Sequence, residues 1–196
     1  MKRLLFVIIA VAALYASYWF VGSNGATAGF ERWFEDRRAE GWVAEVESIE
    51  TRGFPSRFDT TLTGISLADP DTGVAYSAPL LQIFALSYKP KHLRVVWPKE
   101  QSVRSPFGKA EITSDDMRAS LIVKKNTSLA LEKANYTTDA VTLQMDNGET
   151  FGAAKASMAI ELNPAAQNAY HFGVNLKDVL LPKPRGIRLE AGILPK

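Results

Sequence analysis

The chain has no cysteine, which excludes a disulfide framework, a cysteine-ligated zinc or iron–sulfur site and a cysteine nucleophile. Histidine is nearly as scarce: His92 and His171 are the only two. An excess of charge is missing as well, because a net +2 on 196 residues is not the footprint of a nucleic-acid-binding domain. No G-x-S-x-G elbow, S-x-x-K, phosphate-binding Walker loop or H-E-x-x-H occurs. These absences imply no nucleic-acid partner, no cofactor and no metal, and they name no reaction. What is present is a hydrophobic fraction of 46%, too high for a disordered chain. The length suits one domain with an appendage.

The appendage is visible as a gap in the charge. After Lys2 and Arg3 no charged residue appears until Glu31, and Leu4 to Val21 is apolar apart from Ser17 and the tyrosines. Eighteen helical residues span about 27 Å, close to the roughly 30 Å of a bilayer core. Tyr15, Tyr18 and Trp19 cluster at the far end, where an aromatic belt lies, and the basic residues at the near end favour a cytoplasmic N-terminus. The membrane is therefore the expected partner of residues 4–21. The competing reading is a cleaved signal peptide ending at Ala26-Thr27-Ala28. The length of the run and its bulky aromatic end favour an anchor. Either way the remainder is exported, and about 165 cysteine-free residues can still supply an ordinary core.

Ala28 to Glu40 reads as a short amphipathic helix, with Phe30, Trp33, Phe34 and Arg37 on one face and Gly41 as its C-cap. It either lies on the membrane surface or packs its aromatic face on the sheet that follows; its acidic residues favour packing. Gly25 to Gly29 carries a small-residue pattern, but beyond the apolar core it reads as a flexible joint. The chain thus divides into an anchor (1–27), a juxtamembrane helix (28–41) and a β-rich exported domain (42–196).

From Trp42 the pattern has period two. Val141, Leu143, Met145; Met158, Ile160, Leu162; Tyr170, Phe172, Val174, Leu176; and Ile187, Leu189, Ala191 each alternate with polar or small residues. Weaker strands are expected at 43–51, 56–67, 80–88, 92–97, 108–113, 117–124 and 128–134. In 56–67 the apolar phase slips across Gly64, which suggests a bulge. Asp69 to Gly73 and Asp146-Asn147-Gly148 supply turns, and a short helix is allowed at 164–169. The expected fold is mainly β: an N-terminal transmembrane helix and a short amphipathic helix, then a curved antiparallel meander sheet. A strand at 187–191 would end the chain on an unprotected edge, which suggests a C-terminal truncation.

Few residues suggest chemistry. His92 and His171 read as exposed, although either would serve a hydrolase. Asp69, Asp71 and Gly73 resemble part of a calcium loop, but the glycine falls at the wrong position and a plain turn explains them better. Asn126 and Asn135 begin N-x-[ST] patterns that matter only in a glycosylating host. Lys89, Lys91 and Arg94, followed by Lys99 and Arg104, form a basic stretch beside Tyr88 and Trp97. It is either a contact for an anionic ligand or headgroup or a charged wet face.

The most distinctive local sequence is Gly53-Phe54-Pro55-Ser56-Arg57-Phe58. It follows Gly41-Trp42 and precedes Ala78-Pro79-Leu80-Leu81-Gln82 and Tyr88-Lys89-Pro90. This order resembles a family of Gram-negative bacterial envelope proteins, domain of unknown function 2125, with its G-F-P-x-R-F, A-P-x-x-Q and Y-x-P segments. The resemblance implies an inner-membrane anchor, a periplasmic bulk and no assigned catalytic residue; members are generally longer. Gly53, Phe54, Pro55, Arg57 and Phe58 read as structural: a bend at Gly53 and Pro55, two phenylalanines plugging the core, and Arg57 either pairing Asp59 or capping exposed carbonyls, with a ligand contact through Arg57 as the functional alternative. The architecture is also similar to AsmA-like envelope proteins, an analogy of fold that implies lipid handling or envelope assembly. The expectation is a non-enzymatic protein that binds lipid or another apolar ligand. The alternatives are an interaction module for an envelope protein partner and, third, a hydrolase.

Overall fold

The computed structural model of the chain describes residues 2–124, 131–163 and 169–182. The expected strand at 187–191, residues 164–168 of the helix allowed at 164–169, residues 128–130 of the strand expected at 128–134 and Asn126 lie outside the described residues.

Among the described residues a single helix, α1, runs from Lys2 to Ala39. The joint expected at Gly25 to Gly29 is instead helical, and the anchor and amphipathic helix are one continuous rod. Glycine in a helix costs about 1 kcal/mol relative to alanine, and packing offsets it. Ser23 and Phe34 are buried on one side of the rod, and Thr27 Oγ1 hydrogen-bonds Thr51 Oγ1 at 3.0 Å. The rod ends as expected at Gly41, whose φ of 92° is the left-handed value a C-cap requires. The Gly41 amide donates to the Arg38 carbonyl and the Trp42 amide to the Arg37 carbonyl, each at 3.0 Å. These two bonds form a Schellman motif.

The rest of the described chain is one antiparallel sheet of 11 strands. They are β1 (Val43–Glu45), β2 (Ser48–Arg52), β3 (Arg57–Asp69), β4 (Val74–Leu86), β5 (Lys89–Val96), β6 (Glu100–Ser105), β7 (Gly108–Thr113), β8 (Asp116–Val123), β9 (Leu131–Met145), β10 (Thr150–Leu162) and β11 (Tyr170–Leu180). β6 is absent from the sequence-based expectation, because Glu100 to Ser105 is polar at most positions. The connectivity is simpler than the count suggests. β5 and β6 lie end to end along β4, which pairs with β5 at Gln82–Leu86 and with β6 at Ala75–Ser77. β7 and β8 lie end to end along β9 in the same way, and β1 and β2 do so along β3. Each pair is one long strand with an interruption, so the sheet is an up-and-down meander, as the turn spacing predicts.

The interruptions line up. Gly64 (φ 62°) on β3 faces the β1–β2 break at Glu47 and, across β4, Pro79. The same level continues through the Pro98–Lys99 and Ser114–Asp115 breaks. It ends at Ala140 (φ 50°) on β9 and Asp178 (φ 51°) on β11. Inward residues change parity across this crease. On β3 the buried set is Phe58, Thr60, Leu62 before it and Ile65 after it. The bulge read at Gly64 is therefore one member of a line crossing the whole sheet. Because β4 slips at the same level, β3–β4 pairing keeps its register. Bulges bend strands and strengthen their twist, so the crease coils the sheet while keeping its apolar residues on one face.

α1 covers one end of that face. Phe34 and Ala44 pack with Leu62 and Ile65, flanked by Phe30, Val46, Ile49, Leu67, Tyr76, Leu81 and Ile83. The aromatic face of residues 28–40 is thus spent on the sheet, as its acidic residues suggested, while Trp33 stays exposed beside Arg37.

Candidate functional site

Above its first four turns α1 lies along the sheet, and the contact begins at the Gly53–Phe58 motif. The β2–β3 turn is built on Gly53 (φ 105°), where a side chain would meet the Arg57 carbonyl at 2.9 Å, and on a cis Phe54–Pro55 bond. This turn presents the Arg57 carbonyl to the helix, and Trp19 Nε1 donates to it at 2.7 Å. The neighbouring β4–β5 turn is engaged as well. Tyr18 Oη donates to the Ser87 carbonyl at 2.7 Å, and Tyr15 Oη sits 3.1 Å from Ser87 Oγ. The Trp19 ring stacks on Phe58 at 6.0 Å and meets Phe54 edge-on at 5.4 Å, while Phe20 stacks on Phe54. Gly22 allows this approach: a Cβ there would lie 2.5 Å from Phe58 Cζ. Phe58 plugs the core as expected. Phe54 does not; it is 54% exposed, because the tight turn carries it past the end of the sheet onto the flank of α1.

Phe58 also begins a row of side chains that crosses the sheet. Ala85, Leu93, Leu121, Ala134, Ile160 and Phe172 follow it, strand by strand, to β11. A second row runs Thr60, Ile83, Val95, Ala119, Tyr136, Met158, Val174 through the same pairings. The near end is under α1. Toward β11 the face opens: Phe172, Val174 and Leu176 are 65%, 54% and 52% exposed. Two tyrosines soften this face. Tyr76 donates to Gln101 Oε1 at 2.8 Å, and the Gln101 amide in turn contacts Met117 Sδ. Burial, reinforced by Tyr136, pushes the Tyr76 hydroxyl up to about 12. Burial also raises Tyr136, against a smaller lowering by the neighbouring Thr138 hydroxyl.

The opposite face is polar and carries a groove of about 680 Å³ near the motif, lined by Arg57, Phe84, His92, Arg94, Asp116, Arg118 and neighbouring apolar residues. Of the alternatives open to Arg57, the pair with Asp59 forms, at 2.8 Å, and the guanidinium lies over the Phe84 ring. Arg118 pairs with Asp116. Arg94 has no ion-pair partner among the described residues.

The basic stretch does not form one site. Lys89 and Lys91 sit at the β4–β5 turn, Arg94 faces the groove, and Lys99 and Arg104 lie at and beyond the crease. His92 is exposed at the groove rim, and His171 is exposed on the polar face opposite Glu161. Asp69 is committed to its turn, accepting from the Asp71 amide and the Thr72 hydroxyl. Asn135 is exposed on β9. Sequence reasoning missed the hydrogen-bonding role of Tyr15, Tyr18 and Trp19, since an aromatic belt explains the same cluster. It also missed Phe84, Asp116 and Arg118, which only strand pairing brings beside Arg57 and Arg94.

Residues 19–193 match a family described as an uncharacterized protein conserved in bacteria, DUF2125. The chain belongs to the DUF2125 family. Comparison with curated proteins and with solved structures gives no match. The DUF2125 match opens at Trp19, so it takes in the helix residues that dock on the motif together with all of the described sheet.

Proposed function

We propose that this protein is a single-pass membrane protein whose exported, periplasmic sheet binds lipid acyl chains on its apolar face, without catalysis, in the upkeep of the bacterial envelope. The observation that carries this reading is the apolar face itself. Among the described residues it is covered by α1 at the β1–β4 end and stays open to β11, an exposed patch of the kind that marks a binding surface. Its first row starts at Phe58, which stacks on Trp19 at the end of the apolar run. A chain leaving the bilayer beside α1 therefore meets that row directly. The single apolar helix, with 6% of its most hydrophobic window buried, supports the anchor.

The full chain in lipid nanodiscs, treated with a diazirine-bearing fatty acid and irradiated, tests the reading. Crosslinks are expected on β8 to β11. Val174→Lys and Met158→Lys should abolish them, whereas Asn175→Lys and Ser157→Lys, one residue away on the polar face, should not. Equal labelling of all four variants, or labelling confined to residues 4–21, would overturn it. An unlabelled face that instead captures a protein would support the interaction-module alternative.

A further inference from the structure

We propose that the tips of the β2–β3 and β4–β5 hairpins form a second membrane contact, an aromatic and basic foot that rests on anionic headgroups of the leaflet from which α1 emerges. The inference rests on α1 spanning the membrane and is independent of lipid capture by the apolar face.

Ser87 accepts from Tyr18 and lies within hydrogen-bonding distance of Tyr15. Those tyrosines sit about 4.5 and 9 Å before Val21 along the helix axis, at 1.5 Å per residue. With residues 4–21 in the hydrocarbon, the β4–β5 tip stands at or just inside the boundary with the headgroups. The same holds for the β2–β3 tip, whose Phe54 packs on Phe20 and whose Arg57 carbonyl is held by Trp19. At this level Phe54, packed on Phe20, and Tyr88, next to the Ser87 held by Tyr18, are 54% and 65% exposed. Aromatic rings with one polar edge are the groups that settle at that depth.

The charge agrees with an anionic surface. Around the tips, Arg52 is paired with Glu50 and Arg57 with Asp59. Lys89 and Lys91 have no ion-pair partner among the described residues, and they lie one and three residues after Tyr88. Ring below and ammonium above is the order in which a bilayer presents its hydrocarbon edge and its phosphates. A foot at this position also fixes rotation of the sheet about α1, which a single spanning helix cannot do alone.

The absence of cysteine makes the test clean. Single cysteines replacing Tyr88, Phe54, Val11 and Phe107 are labelled with an environment-sensitive fluorophore. The full chain is reconstituted in vesicles of phosphatidylethanolamine and phosphatidylglycerol, with and without brominated acyl chains. Phe107, 93% exposed in the β6–β7 turn, reports the opposite end of the sheet. Lipid quenching is expected at Tyr88→Cys, Phe54→Cys and Val11→Cys and not at Phe107→Cys. Reversing Lys89 and Lys91 to glutamate should lower the docking equilibrium constant read at Tyr88→Cys by about fivefold or more per charge, and vesicles of phosphatidylcholine alone should lower it too. A Tyr88 label that behaves like the Phe107 label while Val11 stays quenched overturns the foot and leaves the anchor standing. Loss of quenching at Val11 overturns both. Quenching indifferent to the lysines and to lipid charge overturns the headgroup contact.

Discussion

The helix–motif junction can be tested through glycines of α1. Gly22, Gly25 and Gly29 share one helix, but their surroundings differ. A Cβ at Gly25 or Gly29 meets nothing within 4 Å, whereas at Gly22 it would lie 2.5 Å from Phe58 Cζ and 3.0 Å from Cε1. Alanine at the open positions should act through propensity alone and stabilise by about 1 kcal/mol each. At Gly22 the same gain opposes overpacking, which costs about 1–3 kcal/mol where a buried group must move. Phe58 is 8% exposed and stacked on Trp19, so its ring cannot swing away freely. Gly22→Ala should therefore destabilise by about 1 kcal/mol net, opposite in sign to Gly25→Ala. Shortening the ring partner should restore the sign: in a Phe58→Leu background, Gly22→Ala should stabilise. The assay is urea unfolding of the full chain in detergent micelles, followed by tryptophan fluorescence and by the β-sheet circular dichroism signal. The segment beyond Val21 is read together with the sheet it packs on. Equal stabilisation by Gly22→Ala and Gly25→Ala would refute the close approach of helix and motif, and with it the level argument for the hairpin tips.

Two further outcomes follow from the apolar face. Gln101→Ala removes the acceptor of the Tyr76 hydroxyl and should cost about 1–3 kcal/mol in the same unfolding assay, whereas Gln101→Leu combined with Tyr76→Phe, which removes both partners, should cost far less. Tyr76 also makes stability depend on alkaline pH. Its hydroxyl is raised from 10.0 to about 12 in the folded chain, so between those values the unfolded state has lost a proton that the folded state keeps. Stability should be flat in this respect below pH 10 and fall from there toward 12, and Tyr76→Phe should flatten that fall. An unchanged slope in the variant would assign the loss to other groups.

Much of this protein is legible in local sequence because local physics decides it. The charge gap from Lys2 and Arg3 to Glu31 marks the apolar rod, and beyond those two residues basic and acidic side chains balance, so the small positive excess sits at the start of the rod. Gly41 marks the helix end because only a left-handed residue closes it, and period-two alternation assigns the strands of the meander. Local reasoning failed where a distant partner supplies the energy. Gly25 to Gly29 looks like a joint by propensity, yet Thr51 and the Phe34 core hold it helical. Phe54 looks like a core residue by hydrophobicity, yet the turn carries it outside. The Gly64 phase slip is visible in sequence, but its alignment with breaks on every neighbouring strand is not, since register belongs to pairs of strands. That alignment keeps one face apolar from Phe58 to Phe172, and the docking of α1 leaves the β11 end of it open among the described residues; both were decided by the tertiary structure, because both depend on which strands and which helix face come to lie side by side.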